Sequence, residues 1–259
     1  MFNCSRRRSY IVPISKPKEV DSKPLTCDDF RGIAISPVLT KTFEHRTILN
    51  RFASFFSTSP NQFGFKKGIG CSHAIRSVRN IVDSFIQGGS TVTLCAIDLY
   101  KAFDKVNHYA LFSKLMKRFV PNELLIIIER WLSNCCSCVK WNDTWSDFFT
   151  FDFGVRQCSV LSPFLYTLYL DNISNLISSK TGVYIVLYAD DILLMAPAVD
   201  VADQLLKSVV ERELINLDMV INEKKSCCLR IGPRCNSCLS PSIYFIWSRN
   251  SMKGKNTVS

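Results

Sequence analysis

The sequence lacks any long apolar run that is free of charge. A membrane-spanning helix needs about 18 or more such residues, and no stretch of that length occurs in the 259 residues. We also expect no apolar secretory leader, because Arg6, Arg7 and Arg8 lead into a segment that carries Pro13, Pro17 and Pro24. We therefore expect no membrane partner and an intracellular location.

Two CxxC motifs placed close together, as in structural zinc sites, are missing as well: the two CxxC spacings, Cys135–Cys138 and Cys235–Cys238, lie far apart in the chain. The 12 cysteines are spread along a chain too long for a small secreted disulfide scaffold, which indicates a reducing compartment. We expect no structural zinc, since two CxxC motifs that share a zinc site are normally only about 15–20 residues apart. The two cysteine clusters are Cys135, Cys136 and Cys138, and Cys227 and Cys228 with Cys235 and Cys238.

Acidic residues are scarce in the first third of the chain. Residues 1–90 contain 14 Lys and Arg but only 6 Asp and Glu, so they carry +8 of the formal net charge of +10. With 47% hydrophobic residues the chain can form one large domain or two modest ones. A basic part joined to a nearly neutral part favours binding of a polyanion. A basic surface that serves only solubility is the alternative.

The stretch 183–197 contains two apolar runs separated by Asp190 and Asp191. The runs are short and rich in β-formers, which predicts a hairpin with both carboxylates at its tip. Adjacent like charges are costly unless a cation lies against them, and a hard divalent ion with oxygen ligands meets that need. A polar turn between two core strands is the simpler interpretation.

A second acidic position follows a predicted strand that starts at Thr91. The period of two places Leu94, Ala96 and Asp98 on one face. A lone carboxylate there would normally be a helix cap or a surface residue, but the acidic hairpin gives Asp98 a candidate partner. Asp104 is more simply interpreted as a solvated partner of the lysines beside it.

The remaining periodicity predicts helices and two further β-segments. Six helices are predicted: the first opens at Ser36 and Pro37, the second carries Arg76 and Arg79 after the Lys66 and Lys67 loop, and the third places Leu111, Leu115 and Phe119 inward. The fourth runs buried from Asn122 to Leu132. The fifth opens at Ser162 and Pro163 with Leu176 inward, and the sixth extends from a cap at Asp200 to Met219. A hairpin turning at Asn142 and Asp143 and a strand Cys227–Ile231 complete the set.

The order of these elements is that of a polymerase palm, and six sequence blocks make the likeness specific. They are FRGIAISPVLTKTFE, QFGFKKGIGCSHAI, AIDLYKAFDKVNH, GVRQCSVLSPFLYTLYLD, YADD and NEKKS. From about Val12 to Gly232 the chain resembles the reverse transcriptase domain of non-LTR (LINE-type) retrotransposons. Group II intron maturases belong to the same class, and the VNH and RQxSVLSP motifs favour the retrotransposon branch.

The resemblance implies an α+β fold with the fingers and palm of a right-hand polymerase, the palm being an antiparallel sheet backed by helices. It implies basic, template-binding fingers over 1–90, a palm over 91–232 with an insertion at about 120–153, and a truncated tail over 233–259 with no thumb. The implied activity is extension of a DNA primer on an RNA template with dNTPs. Nuclear action is implied by the family only.

The resemblance also assigns roles to residues. Asp98, Asp190 and Asp191 would hold two Mg²⁺ ions, with Mn²⁺ as a substitute and the Leu99 carbonyl as an additional ligand. Further roles are selection of deoxynucleotides (Phe103), support of the nucleotide (Gln157), packing near the primer end (Tyr188), proton donation to pyrophosphate (Lys225) and contacts to triphosphate or template (Arg31, Lys66 and Lys67). Core packing explains Phe103 equally well, and a solvated turn explains Lys225.

One departure from the family pattern concerns the second palm block. Cys158 stands where the family has glycine, and its side chain would clash or force a conformation that glycine adopts cheaply. We expect a truncated copy with weak or no activity alone. The alternatives are a catalytically inactive nucleic-acid-binding remnant and a decayed translation product that does not fold stably.

Overall fold

The structure is a computed structural model that describes residues 9–16, 25–133, 135–174 and 182–233. The predictions for Arg6 to Arg8, Pro17, Pro24, Leu176, Cys235, Cys238 and nearly all of the 233–259 tail lie outside these residues. Within the described ranges, no helix combines the length and the apolar character that a bilayer crossing requires.

Nine strands are described in chain order. They are β1 Ser9–Ser15, β2 Phe30–Ile35, β3 Val92–Ile97, β4 Cys136–Trp141, β5 Thr144–Trp145, β6 Phe149–Thr150, β7 Tyr184–Tyr188, β8 Asp191–Ala196 and β9 Cys227–Ile231.

The α-helices are α1 Val38–Phe43, α2 Cys71–Gln87, α3 His108–Lys117, α4 Asn122–Ser133, α5 Ser162–Ser174, α6 Val199–Leu205 and α7 Arg212–Asn216. A π-helical segment, Glu44–Leu49, continues α1, and another, Leu206–Glu211, joins α6 to α7. Short 3₁₀ turns occupy Cys27–Asp29, Ala53–Phe56 and Ala102–Lys105.

The chain folds as two compact units, each made of two separate stretches. The first unit contains Met1–Ser57 and Phe103–Leu168, and the second contains Thr58–Ala102 and Tyr169–Ser259. The change in charge predicts a domain boundary near residue 90, whereas the two units are defined by the packing of the chain. Residues 58–90 therefore belong to the second unit, and the division into fingers and palm at residue 90 remains a prediction.

The first unit contains a five-stranded sheet in the order β2-β1-β4-β5, with β6 also paired to β4. β1 is antiparallel to β2 and parallel to β4. Helices α3 and α4 bury the leucine and isoleucine side chains of their inner faces, Leu111, Leu115, Leu124 and Ile128. The predicted turn between β4 and β5 is confirmed, and Asn142 adopts a φ of 52° there.

The second unit contains a four-stranded antiparallel sheet in the order β7-β8-β3-β9. Register is fixed by pairs such as Leu94 with Met195 and Ile97 with Ile192. The apolar side of α2 packs on Leu94, Met195 and their neighbours, and α6 packs against β3 and β8. The predicted hairpin, the β3 strand and the short β9 strand are confirmed.

Two helix boundaries differ from the prediction. Pro37 rather than Ser36 is the N-cap of α1, and the last helix ends at Asn216 rather than at Met219.

Three further local predictions differ from the structure. Phe119 is not inward, because α3 ends at Lys117 and Phe119 takes a φ of 56° and is 88% exposed. α4 is not buried all round, since Ile126 is exposed on its outer side. Asp200 is not the cap of α6 but lies in its first turn, after Ala198.

One covalent link was not predicted. Cys95 of β3 and Cys228 of β9 face each other in the antiparallel register and form a disulfide. Their 133-residue separation in the chain hides this pairing from any local pattern. This disulfide is at odds with the reducing compartment that the spread of cysteines indicated.

Candidate active site

The acidic hairpin is the tightest turn of the second unit's sheet. Tyr188 pairs with Asp191, so only Ala189 and Asp190 connect β7 to β8. Ala189 adopts a φ of 57°, a left-handed conformation that costs an alanine about 1–2 kcal/mol. A two-residue turn with a positive first φ matches the right-handed twist of adjoining strands. The strain is thus the cost of holding Asp190 and Asp191 at the strand ends.

Asp98 lies immediately after β3, beside the strand that begins with Asp191. Ile97 pairs with Ile192, so the register places Asp98 next to Asp191. The Asp98 carboxylate accepts a 2.9 Å hydrogen bond from Asn222 Nδ2, and its backbone N–H donates to Ser226 Oγ at 3.1 Å. The register of the sheet therefore places Asp98 beside Asp191, with Asp190 in the adjoining turn.

The electrostatics of the three carboxylates are unfavourable in the absence of a counter-charge. Burial raises the pKa of Asp191, and the charges of Asp190 and Asp98 raise it further. Asp191 as a residue remains exposed, so a cation can reach it. Hard carboxylate oxygens under mutual repulsion are a suitable donor set for Mg²⁺. In the described part of the chain, however, no three His, Cys, Asp or Glu side chains are already gathered around one point as a metal cage.

The loop after β6 carries a second group of predicted residues, in the first unit. Gly154 and Val155 donate backbone hydrogen bonds to the carbonyls of Val106 and Phe103, both at 2.8 Å. Gly154 has a φ of +80°, and a Cβ there would lie 2.8 Å from the Asp104 carbonyl oxygen. The loop is therefore fixed against the 103–106 turn by a contact that only glycine permits.

Gln157 and Phe103 both have defined partners in this unit. Gln157 Nε2 donates to Asp104 Oδ1 at 3.2 Å, so Asp104 contacts this glutamine in addition to any role with its flanking lysines. Phe103 stacks on Tyr166 with ring centroids 4.4 Å apart. A pocket of about 170 Å³ adjoins the loop and is lined by Ile11, Gly32, Asp104, Phe153, Arg156 and Gln157, among others.

Cys158 has the conformation that the sequence analysis anticipated. Its φ is 69°, in the left-handed region, and the residue is exposed. The loop thus keeps a glycine-like backbone although the side chain is not glycine.

A buried carboxylate organises the end of this loop. Glu44 is 1% exposed and accepts hydrogen bonds from Trp131 Nε1 at 2.9 Å, Ser159 Oγ at 2.8 Å and the Val160 N–H at 2.7 Å. The N–H of Leu161 adds a fourth bond at 3.3 Å. Four donors on one carboxylate fix residues 159–161 just before α5 begins.

The remaining predicted site residues differ in exposure. Arg31, Lys67 and Lys225 are exposed, and Tyr188 is half-buried at the end of β7. Leu99 is buried and pairs with Ile221 in an isolated β-bridge. Lys66 is different, because its ammonium group donates to the carbonyls of Thr58 and Ser59. Burial lowers the pKa of Lys66, and the Asp171 carboxylate partly opposes this. Its contacts are thus internal to the second unit.

Sequence reasoning missed the residues that support the candidate site. Asn222, Gln62 and Glu44 all lie inside the quoted blocks, but no local pattern distinguishes them from surface polar residues. Each of the three has a hydrogen-bond partner 115 or more residues away in the chain. Such a distant partner leaves no periodic signal in the sequence.

An antiparallel sheet with carboxylates at the ends of neighbouring strands defines a polymerase palm. Comparison of the sequence with protein families then gives a match to the reverse transcriptase (RNA-dependent DNA polymerase) model over residues 14–249. The chain belongs to this family, and the predicted resemblance is confirmed.

Relatives from mobile genetic elements match most of the chain. An RNA-directed DNA polymerase from the mobile element jockey of Drosophila funebris is 29% identical over 75% of the chain. A probable RNA-directed DNA polymerase from transposon BS of Drosophila melanogaster is 27% identical over 71%. The chain spans only 22% and 21% of the lengths of these two relatives.

Solved structures with a similar fold include telomerases. Apo telomerase from Candida tropicalis, truncated from its C-terminal domain, superposes with a TM-score of 0.66 at 13% identity, covering 92% of this chain and 52% of that one. The predicted fold class, an α+β polymerase fold with an antiparallel palm sheet, is therefore confirmed.

Proposed function

We propose that this chain is an RNA-directed DNA polymerase domain that extends a DNA primer on an RNA template with dNTPs. The observation that carries the proposal is the convergence of Asp98, Asp190 and Asp191 at the ends of β3 and β8, where the pKa of Asp191 is raised. Membership of the reverse transcriptase family supports it.

The carboxylate oxygens of Asp98, Asp190 and Asp191, with the Leu99 carbonyl, would hold Mg²⁺, or Mn²⁺ in its place. Two such ions would supply activation of the primer 3′-hydroxyl and neutralisation of charge on the triphosphate and pyrophosphate. The protein holds the carboxylates in place through the two-residue turn and the Asn222 hydrogen bond.

The other proposed roles concern positioning of the substrates. Gln157, held by Asp104, would support the incoming nucleotide, and Phe103, stacked on Tyr166, would exclude a 2′-hydroxyl. Tyr188 would pack near the primer end, and Lys225 would donate a proton to pyrophosphate. Exposed Arg31 and Lys67 would neutralise phosphate charge. Lys66 is left out of these roles, because its ammonium group is bound internally. A nuclear site of action rests on the family alone.

A second candidate function is that of an inactive nucleic-acid-binding remnant. The observation that favours it is the left-handed φ of 69° at Cys158, whose side chain projects from the loop that precedes α5. Basic residues would then still bind an RNA or RNA–DNA backbone through charge.

Primer extension tests the choice between the two functions. The assay contains purified protein, an RNA template with an annealed DNA primer, dNTPs and Mg²⁺, and it is run in parallel with Asp190→Asn. The matched control is Asp147→Asn, which removes an exposed carboxylate of the first unit. We expect weak extension by the wild type and by the control, and background product only from Asp190→Asn.

Two other results would argue against the proposal. Equal extension by Asp190→Asn would mean that a contaminating polymerase makes the product. Absence of extension by a folded wild-type protein that still binds the primer–template would favour the inactive remnant.

A further inference from the structure

The candidate catalytic turn is supported by a segment that the sequence analysis assigned to nucleic-acid binding. Residues 61–64 run beside β7, with Gln62 bridged to Leu187 in parallel register. The N–H of Phe63 donates to the Leu187 carbonyl at 2.8 Å, and the N–H of Leu187 donates to the Asn61 carbonyl at 2.9 Å. The segment therefore extends the sheet beyond β7, up to the turn that carries Asp190.

Gln62 is the residue of this segment that reaches the turn. Its side chain is completely buried, with 0% exposure. Oε1 accepts from the N–H of Gly64 at 2.8 Å and from the N–H of Ala189 at 3.2 Å, and Nε2 donates to the Ala189 carbonyl at 3.5 Å. A single amide thus satisfies both backbone polar groups of Ala189.

Ala189 is the strained residue of the turn, with a φ of 57°. A non-glycine residue holds this conformation only when its surroundings impose it. The backbone packs equally closely here, since a Cβ at Gly64 would lie 2.3 Å from the Ala189 nitrogen. Gln62 and Gly64 together favour this conformation of the turn, in which Asp190 lies at the tip directly after Ala189.

We propose that Gln62 is a positioning residue of the catalytic turn, which holds Ala189 in its left-handed conformation and so fixes Asp190 and Asp191 for metal and substrate. This inference rests on the proposed polymerase function for its catalytic part. Its structural part, the anchoring of Ala189 by the Gln62 amide, can be measured without any polymerase activity.

The first measurement is hydrogen exchange at residue level in the wild-type protein. The Ala189 amide lies in a turn, and turn amides ordinarily exchange fast. Anchoring by a buried acceptor predicts that it exchanges as slowly as the amides of β7 and β8. Fast exchange of Ala189 in the wild type would overturn the inference, whether or not any variant folds.

The second measurement uses Gln62→Met, which keeps the length of the side chain and removes its amide. Exchange at Ala189 should become roughly ten- to hundredfold faster, because a buried donor loses its partner. Exchange at Thr93 and Leu94 in the central strand should stay unchanged. The matched control is Gln87→Met at the exposed end of α2, which should change neither. Equal acceleration throughout the sheet would mean that Gln62 is only a general stabiliser of the unit.

The third measurement is a rescue. Gln62→Met should lower kcat in primer extension, because the turn is no longer held, while KM for dNTP stays near the wild-type value. Ala189→Gly lets the turn adopt a positive φ without support, so adding it to Gln62→Met should restore much of the lost kcat. Failure of the glycine to restore kcat would contradict positioning through Ala189. If the wild type extends no primer, the polymerase function fails, and the exchange data still decide whether Gln62 anchors the turn.

Discussion

Asn222 holds Asp98 at two points. Its side-chain Nδ2 donates to Asp98 Oδ2 at 2.9 Å, and its backbone N–H donates to the Asp98 carbonyl at 2.8 Å. Ser226 completes the arrangement by accepting from the Asp98 N–H and donating to the Asn222 carbonyl. The turn before β9 therefore orients a candidate metal ligand from 124 residues away. Partners of this kind fix the orientation of a ligand and so contribute to metal affinity.

Asn222→Ala should weaken metal binding by roughly ten- to hundredfold, because the Asp98 carboxylate loses its orienting donor. Titration with Mn²⁺ followed by electron paramagnetic resonance measures this affinity directly. Asn80→Ala, at an exposed position of α2, is the matched control and should bind Mn²⁺ as the wild type does. Unchanged affinity in Asn222→Ala would show that the hydrogen bond serves only the local fold.

The raised pKa of Asp191 makes a prediction about stability and pH. An acid whose pKa is higher in the folded than in the unfolded state binds protons more readily when folded, so its contribution to stability falls as pH rises through the folded-state pKa. Asp191→Asn removes this penalty and should raise Tm at pH 7 without metal, but only slightly, because solvent screens much of the repulsion at an exposed carboxylate. The gain should shrink as the pH is lowered to the ordinary aspartate range and below.

Mg²⁺ provides the complementary measurement for Asp191. The ion should raise the Tm of the wild type, because it binds the folded state only, and it should raise the Tm of Asp191→Asn much less. Differential scanning fluorimetry with and without Mg²⁺ distinguishes the two. An equal rise in both proteins would remove Asp191 from the set of metal ligands.

The structure explains which parts of the site could be predicted from sequence. The hairpin at Asp190 and Asp191 and the strand before Asp98 follow from local alternation, and their common location follows from the resemblance to a family. The anchoring of Asp98 by Asn222 and of Ala189 by Gln62 could not be predicted, because a hydrogen bond between distant residues leaves no periodic trace. The exposed position of Phe119 escaped prediction for a different reason, since the helix stops two residues earlier than its spacing of leucines indicates.

Glu44 should be the most sensitive polar position of the first unit. Glu44→Ala leaves the buried donors of Trp131, Ser159 and Val160 without their acceptor, which should lower the free energy of unfolding by about 3 kcal/mol or more. Glu44→Gln should cost less, because its amide oxygen still accepts. Urea denaturation followed by circular dichroism measures both.

The control for Glu44 is Glu129→Ala, on the exposed side of α4 in the same unit. Substitution at such a surface position should change the free energy of unfolding by no more than about 0.5 kcal/mol. Similar losses in Glu44→Ala and Glu129→Ala would mean that the four hydrogen bonds do not contribute to stability as their burial indicates.

Cys158→Gly should improve both stability and polymerase activity. The left-handed φ of 69° costs a non-glycine residue about 1–2 kcal/mol, and the greater freedom of glycine in the unfolded chain offsets about 0.5–1 kcal/mol of that. A net gain of between 0 and about 1.5 kcal/mol is expected in urea denaturation. Cys158→Ser keeps a Cβ and a side chain of similar size, so it should bring no gain. Equal behaviour of the glycine and serine variants would mean that the backbone at 158 is not strained.

A substitution at Phe103 distinguishes a steric role in nucleotide selection from ordinary core packing. The ring is stacked on Tyr166 with an interplanar angle of 19° and is only half-buried, so it is held rigidly while part of its surface stays accessible. Phe103→Val should lower the free energy of unfolding by about 1–2 kcal/mol through the lost stacking.

If the accessible part of the ring faces the sugar of an incoming nucleotide, the same variant should also accept ribonucleotides more readily, since the group that excludes a 2′-hydroxyl is gone. Parallel primer extensions with dNTPs and rNTPs measure this ratio, and Phe103→Tyr, which keeps the ring, should leave it unchanged. A loss of stability in Phe103→Val with an unaltered ratio would assign Phe103 to the core of the first unit alone.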